Sequence, residues 1–321
     1  MNNKGGTIGV IGAGAWGTAL AVLHARAGRE VTLWARDARR ASTMLISRRN
    51  DRLPGVVLPD RLRISQRIPD ADIFLLTVPM QHLRATLALL PANDAPVVLC
   101  CKGLETGTAL LPPEIVQNRP TAMLTGPNFA HEIAALLPAA TVLATPDADL
   151  RARLTAALKT DTLRLYGSAD IMGAALGGAA KNVIAIAAGV VIGAGLGENA
   201  RAALITRGLA EIARLAAALG GRAETVSGLS GLGDLLLTCT GISSRNYSLG
   251  LALGQGEKLA DILGRRSNVT EGVATAPALV ARAATLGVDM PLTCAVTKLL
   301  AEERNVAQTM AALMGRELRD E

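Results

Sequence analysis

The sequence predicts an α/β domain followed by an all-helical one. Three observations carry this. Strand-like and helix-like runs alternate through the first half of the 321 residues. Strand signals stop near Ile171, and a glycine-rich loop, Gly12-Ala13-Gly14-Ala15-Trp16-Gly17, stands between the first strand and the first helix. Alternation of this kind builds a parallel, doubly wound sheet. The boundary falls at 175/176, giving an α/β Rossmann-type dinucleotide-binding domain over 1–175 and an all-α substrate and catalytic domain over 176–321. A cleft is expected between them.

Short apolar or β-branched runs place strands at 7–11, 31–34, 72–78, 97–100 and 122–125, and runs at 141–144 and 163–166 extend the sheet. Between the first two strands, Trp16, Leu20, Leu23 and Ala27 recur at helical spacing, and Gly28 is placed to end that helix. In the second half Ile205, Leu209, Ile212, Ala216 and Leu219 recur every three to four residues, as a packed helix requires. Further helices are expected over 249–254, 276–286 and 292–314.

Half of the chain is hydrophobic but only 2% is aromatic, so the core is built from Ala, Leu, Val and Ile. The formal charge is +6 and the pI is near 9.5. Dispersed Arg and Lys with few stacking aromatics disfavour nucleic acid, and anionic metabolites are the simplest partners for the charge. The four cysteines form no C-x-x-C pair and read as buried free thiols in a reducing compartment. No metal site is expected. No apolar stretch precedes the first strand, so no secretory signal is expected. The uncharged segment 182–197 falls short of the ~20 residues a membrane span needs and reads as a buried helix. The protein is expected to be cytoplasmic, and the apolar helices of its second half suit a homodimer.

Gly12, Gly14 and Gly17 form G-x-G-x-x-G after a strand and at a helix start. The first glycine permits the tight turn, the second lets the backbone approach a pyrophosphate, and the third allows close helix packing. After the second strand comes Arg36-Asp37. Arg36 favours the 2′-phosphate of NADP, whereas Asp37 keeps NAD open or is a solvated surface charge. Beyond the carboxyl ends of later strands lie Lys102, in CKGLE, and Gly126-Pro127-Asn128-Phe129-Ala130. Lys102 suits an anionic or carbonyl oxygen, although a lone loop lysine equally reads as a solvated charge.

Lys181 opens the most apolar helix, after Gly177-Gly178-Ala179-Ala180. A cation there needs a partner or a chemical role, and lysine is suited to general acid work when desolvated. A lysine at a helix boundary reaching solvent is the other reading. Asp234, in GLGD, is a candidate partner for a catalytic lysine or a helix cap. Ser244-Arg245-Asn246 supplies hydroxyl, guanidinium and amide together, a set suited to phosphate.

Taken together, these segments resemble the bacterial NAD(P)-dependent glycerol-3-phosphate dehydrogenases. The resemblance rests on GAGAWGTALA at 12–21, KGLE at 102–105, GPNFAHE at 126–132 and GGAAKNVIAIAAG at 177–189. It continues through ARAALITRGLAE at 200–211, GLGDLLLTCT at 231–240 and SRN at 244–246. It implies reversible reduction of dihydroxyacetone phosphate to sn-glycerol 3-phosphate, a phospholipid precursor, with NAD(P)H; Arg36 favours NADPH, with NADH left open. By position, Lys181 would be the catalytic acid/base with Asp234 beside it. Lys102, Gly126, Asn128, Lys181, Asp234, Ser244, Arg245 and Asn246 would line the substrate site. Ala15, Trp16, Arg36, Lys102, Ala130, Arg245, Val269 and Glu271 would touch the cofactor.

Asn128 departs from the Ser or Thr common at that position, and His131 is assigned no role. A β-hydroxyacid dehydrogenase acting on a carboxylate substrate is the nearest rival, disfavoured by the Ser-Arg-Asn cluster after GLGD. A catalytically silent NADP-binding protein would need neither Lys181 nor Asp234.

Overall fold

The computed structural model describes residues 6–265 and 270–315. They divide into two compact units, one made of residues up to Lys102 with Pro112–Ala175, the other of Gly103–Leu111 with residues from Leu176 on. The second unit thus takes in Gly103–Leu111, a segment that the sequence boundary at 175/176 places in the first domain.

The first unit is built on one eight-stranded sheet: β1 (Ile8–Ile11), β2 (Val31–Trp34), β3 (Arg63–Ser65), β4 (Ile73–Leu76), β5 (Val97–Leu99), β6 (Thr121–Thr125), β7 (Ala139–Ala144) and β8 (Leu163–Ser168). Their order is β3-β2-β1-β4-β5-β6-β7-β8. β1 pairs in parallel with β2 and with β4, so the chain winds outward in both directions from this junction. All four residues of β1 are buried, as a central strand covered on both faces demands. Helix α1 (Ala15–Arg26) buries Leu20 and Leu23 and stops at Ala27, with Gly28 at φ +86° immediately after. Helix α2 (Ala38–Ser47) buries only Ala41 and Met44.

Two features differ from the sequence reading. β6 and β7 run antiparallel, with Thr125 opposite Val142, so the sheet is mixed rather than parallel throughout. Their link contains only the five-residue helix Ala130–Ala134, and an antiparallel return needs no crossover. β3 is an edge strand of three residues, too short for an alternation to register.

The second unit is helical. The helix Ile171–Gly193 is the one described helix long and apolar enough to cross a membrane, and its apolar window lies almost wholly in the protein interior. Its small residues serve close packing. A Cβ on Gly189 would run into Tyr247 O, and one on Gly250 into Ile186 O, so this helix and Arg245–Gly254 meet backbone to backbone. The expected single helix over 292–314 is two, Pro291–Leu300 and Val306–Met314. Glu302 adopts φ +58°, and Asn305 starts the second with a capping box to Gln308. Buried Glu211 caps the first of the pair, accepting from Leu292 N at 2.6 Å and Thr293 N at 3.2 Å.

Candidate functional site

The glycine loop leaves β1 at the junction of β1 and β4, where open α/β sheets bind ligands. Gly12 has φ +117°, and its N–H donates to Trp34 O at 3.2 Å. The Thr77 hydroxyl, just beyond β4, lies 2.8 Å from Gly12 O. A Cβ on Gly17 would collide with Gly12 O and Thr77 Oγ1, so α1 starts in contact with the loop. A Cβ on Gly14 would meet nothing within 4 Å. The space over Gly14 is therefore open, and it faces the first turn of α1. That turn carries Ala15, Trp16 and Gly17, has no acidic residue and receives no side-chain cap. Unused backbone N–H groups and the positive helix end suit a pyrophosphate. The residues present thus fit a dinucleotide.

The loop is also braced from a distance. Ala13 O accepts from Asn50 Nδ2 at 3.1 Å and from the Arg40 guanidinium, 37 and 27 positions away. Asn50 is buried and its amide also lies 2.6 Å from Thr18 Oγ1. Nothing in the glycine motif points to either residue. Arg36 and Asp37 are both exposed, but Asp37 has a structural role, because its carboxylate accepts from Arg40 N at 2.8 Å and caps α2.

Further along the same sheet, Lys102 Nζ donates to Gly126 O at 3.4 Å. Gly126 is pressed against β7, since a Cβ there would lie 2.8 Å from Thr141 Oγ1. Asn128 Oδ1, Thr125 Oγ1 and Thr141 Oγ1 are buried without a hydrogen-bond partner among the described residues. Orphaned polar atoms of this kind are expected where a polar ligand sits. Ala130 opens the short helix after them, and His131 is exposed, stacked on Phe129 at 5.7 Å. Cys100, at the end of β5, is buried, and burial pushes its thiol up to about 12.

In the helical unit, Lys181 is 7% exposed and Asp234 is 1% exposed. The lysine neither opens its helix, which already begins at Ile171, nor reaches out to solvent. Its ammonium forms an ion pair with Asp234 Oδ1 and donates to Thr238 Oγ1 at 2.8 Å. Thr238 Oγ1 in turn donates to Asp234 O at 2.6 Å. The sequence produces this meeting through small residues. Gly177 lies one helical turn before Lys181 on the same face, and a Cβ there would come within 2.7 Å of Ser230 O. The Ser230-Gly231 turn therefore packs directly on the helix, and Asp234, starting the next helix, arrives at the lysine. At adjacent Cys239 burial, partly countered by Lys181, pushes the thiol up to about 12.

Ser244, Arg245 and Asn246 share the first turn of the helix Arg245–Gly254, but their side chains diverge. Ser244 caps the helix, accepting from Tyr247 N at 3.2 Å. Arg245 is exposed, whereas Asn246 is buried. Asn246 Nδ2 donates to Asn182 Oδ1 at 2.9 Å, and Asn246 Oδ1 accepts from Gly272 N at 3.0 Å. The amide is thereby oriented, with its oxygen turned to the backbone of the helix Glu271–Thr285. Glu271 is that helix's half-buried first residue, and Val269 lies outside the described residues. Thr238 and Asn182 were not singled out from sequence. Thr238 had a signal, since it stands four residues after Asp234 and so on the same helical face. Asn182 had only its adjacency to Lys181.

Two family models match the chain. The model described as NAD-dependent glycerol-3-phosphate dehydrogenase N-terminus covers residues 7–151, and its C-terminal counterpart covers 170–311. The chain is 60% identical over 316 residues to the glycerol-3-phosphate dehydrogenase (NAD(P)+) of Acidiphilium cryptum, spanning 97% of both. It is 52% identical over 317 residues to the protein of the same name from Gluconobacter oxydans, spanning 96% of this chain and 97% of that one. Among solved structures, glycerol-3-phosphate dehydrogenase from Coxiella burnetii superposes with a TM-score of 0.90 at 36% identity, over 97% of this chain and 99% of that one.

Proposed function

Because the chain belongs to the NAD-dependent glycerol-3-phosphate dehydrogenase family, we propose that it reversibly reduces dihydroxyacetone phosphate to sn-glycerol 3-phosphate. The product is a backbone precursor of glycerophospholipids. The observation that carries the chemistry is the buried Lys181–Asp234 pair with Thr238 as third member. The nicotinamide of NAD(P)H, when bound, supplies the hydride. Lys181, as ammonium, donates a proton to the C2 oxygen of the substrate as negative charge develops there. Asp234 and Thr238 hold Nζ in place, so the proton is delivered from a fixed position. Arg245, with Ser244 and the oriented amide of Asn246, holds the phosphate. Lys102 and Asn128 serve the carbonyl end. In reverse, the same lysine takes the proton from the C2 hydroxyl.

For the dinucleotide, the first turn of α1 from Ala15 to Gly17 takes the pyrophosphate, with Ala130, Val269 and Glu271 as further contacts. Arg36 takes the 2′-phosphate, and NADPH is preferred. The capping bond of Asp37 supports this reading, because its carboxylate already serves α2. The protein acts in the cytoplasm as a homodimer joined through its helical half, which sedimentation velocity tests.

The deciding assay follows oxidation of NADPH and of NADH with dihydroxyacetone phosphate, and then with a 3-oxo acid. Turnover is expected with the phosphate ester only, and faster with NADPH. No oxidation with either cofactor overturns the activity, and preferential turnover of the oxo acid transfers it to the β-hydroxyacid dehydrogenase reading.

A further inference from the structure

Arg and Lys are dispersed along the chain, but their excess over Asp and Glu is concentrated in one place. Residues 36–67 hold nine arginines and three aspartates, a net +6, and +6 is also the formal charge of all 321 residues. Everything else balances. The stretch is also one structural edge of the sheet, made of α2, the loop after it and β3. Gln66 Nε2 donates to Ala38 O and Ser42 Oγ, both at 3.3 Å, joining the residue after β3 to α2. Arg48, just past α2, donates to Leu58 O at 3.3 Å, to Leu62 O at 3.1 Å and to Pro59 O.

The same edge exposes large apolar side chains. Met44 and Ala41 point into the core, whereas Leu45 and Ile46 face solvent. At 85% exposure, Ile46 is the most exposed large hydrophobic side chain among the described residues. Val57 is exposed too, and it bridges in an isolated antiparallel pair to Arg49, three residues after Ile46. Arg39 and Ile46 lie two helical turns apart and so on one face of α2. The outcome is an apolar tip set among exposed arginines.

A single exposed apolar residue needs no explanation. Three of them within the segment that carries the whole net charge do. A second copy of this chain is a poor occupant, since an isologous contact would set the patch against itself, +6 facing +6. Nucleic acid has no use for Leu45 and Ile46, and residues 36–67 contain no aromatic side chain on which a base could stack. An anionic bilayer answers both halves of the surface: its headgroups attract the arginines, and its interfacial zone accepts the apolar tip. We propose that this edge docks the protein reversibly on anionic lipid membranes. The proposal rests on the charge and exposure of Arg39, Leu45, Ile46, Arg49 and Val57, none of which the enzymatic reading uses.

Co-sedimentation of the full-length protein with vesicles tests it. Binding is expected to phosphatidylglycerol/phosphatidylcholine vesicles and not to pure phosphatidylcholine, with release at high salt. Ile46→Asp, and separately the pair Arg39→Ala with Arg49→Ala, should each lower the partition coefficient about tenfold or more. Both should leave the melting temperature and turnover in free solution unchanged. Equal binding to both vesicle types, no binding to either, or variants that partition like the wild type overturns the proposal. So does loss of self-association in the variants without loss of lipid binding, which makes the edge a subunit contact. Binding of the wild type to duplex DNA that Ile46→Asp leaves intact, with no vesicle binding, transfers the charge to nucleic acid and overturns it likewise.

Discussion

Two helices of this chain, α1 and Ile171–Gly193, handle a buried base in opposite ways. In α1, His24 is only 1% exposed, and its Nδ1 has no hydrogen-bond partner among the described residues. Burial, reinforced by Arg29, pulls its pKa down to about 4. In the helix Ile171–Gly193, Lys181 is nearly as buried but is given a carboxylate and a hydroxyl. Desolvation neutralises the first base, whereas pairing supports the charge of the second. The contrast separates packing from chemistry. Around α1 we assign binding to the backbone while the side chains fill space; around Lys181 we assign the chemistry to side chains that meet because Gly177 admits the Ser230-Gly231 turn.

The largest effect should come from the lysine. Lys181→Ala is expected to lower kcat by about 10²–10⁴-fold, the range of general acid catalysis, while NADPH binding measured by fluorescence is retained. Near-normal turnover would erase the distinction between the two helices. The converse experiment targets the loop. Gly17→Ala places a Cβ against Gly12 O and Thr77 Oγ1, so the backbone must shift and cofactor affinity should fall by about tenfold or more. Substrate-phosphate contacts in the helical unit should be untouched. Unchanged cofactor affinity in Gly17→Ala would show that the close start of α1 is dispensable.

His24 should reveal itself in stability rather than rate. Its folded pKa lies near 4, against 6.5 for the ordinary side chain. Between these values the unfolded chain binds more protons, so stability falls as pH drops through that window. It is retained in full above about pH 6.5. The whole window corresponds to about 3 kcal/mol, and the step from pH 7 to pH 5.5 to about 1 kcal/mol. Urea unfolding of the wild type and His24→Gln across this range tests it. An equal slope in both proteins would mean that His24 keeps an ordinary pKa and that the contrast with Lys181 is false.

What the sequence revealed divides along the same line. Backbone requirements are local, so Gly12, Gly14, Gly17 and the junction after β1 were legible in six consecutive positions. Lys181 and Asp234 were legible as residue types, but their meeting depends on Gly177 admitting the Ser230-Gly231 turn, 53 positions away along the chain for the charged pair itself. Ser244-Arg245-Asn246 read as one donor cluster, yet the helix turns Asn246 inward to Asn182 and Gly272 and leaves Arg245 outside. Asp37 read as a cofactor or surface charge, and its cap on α2 emerged only from the fold. Asn50 and Arg40 were illegible for the same reason. The short edge strand β3 and the antiparallel turn at β7 escaped because three residues carry no period and alternation carries no direction.

The smallest expected effect is the finest test of how the lysine is held. Thr238→Val preserves shape but removes the hydroxyl that accepts from Lys181 at 2.8 Å and donates to Asp234 O at 2.6 Å. A hydrogen bond to a charged group contributes about 1.5–3 kcal/mol, and Asp234 still holds the ammonium, so the lower end applies. About a tenfold loss in kcat is expected, with KM for dihydroxyacetone phosphate little changed and NADPH affinity intact. Thr238→Ser keeps the hydroxyl and should restore most of the rate. A purely structural role for Thr238 would instead lower the melting temperature of the valine variant and leave kcat per folded molecule unchanged. If valine and serine variants turn over alike, the Thr238 hydroxyl does not position Lys181, and the ion pair with Asp234 carries the contrast with His24.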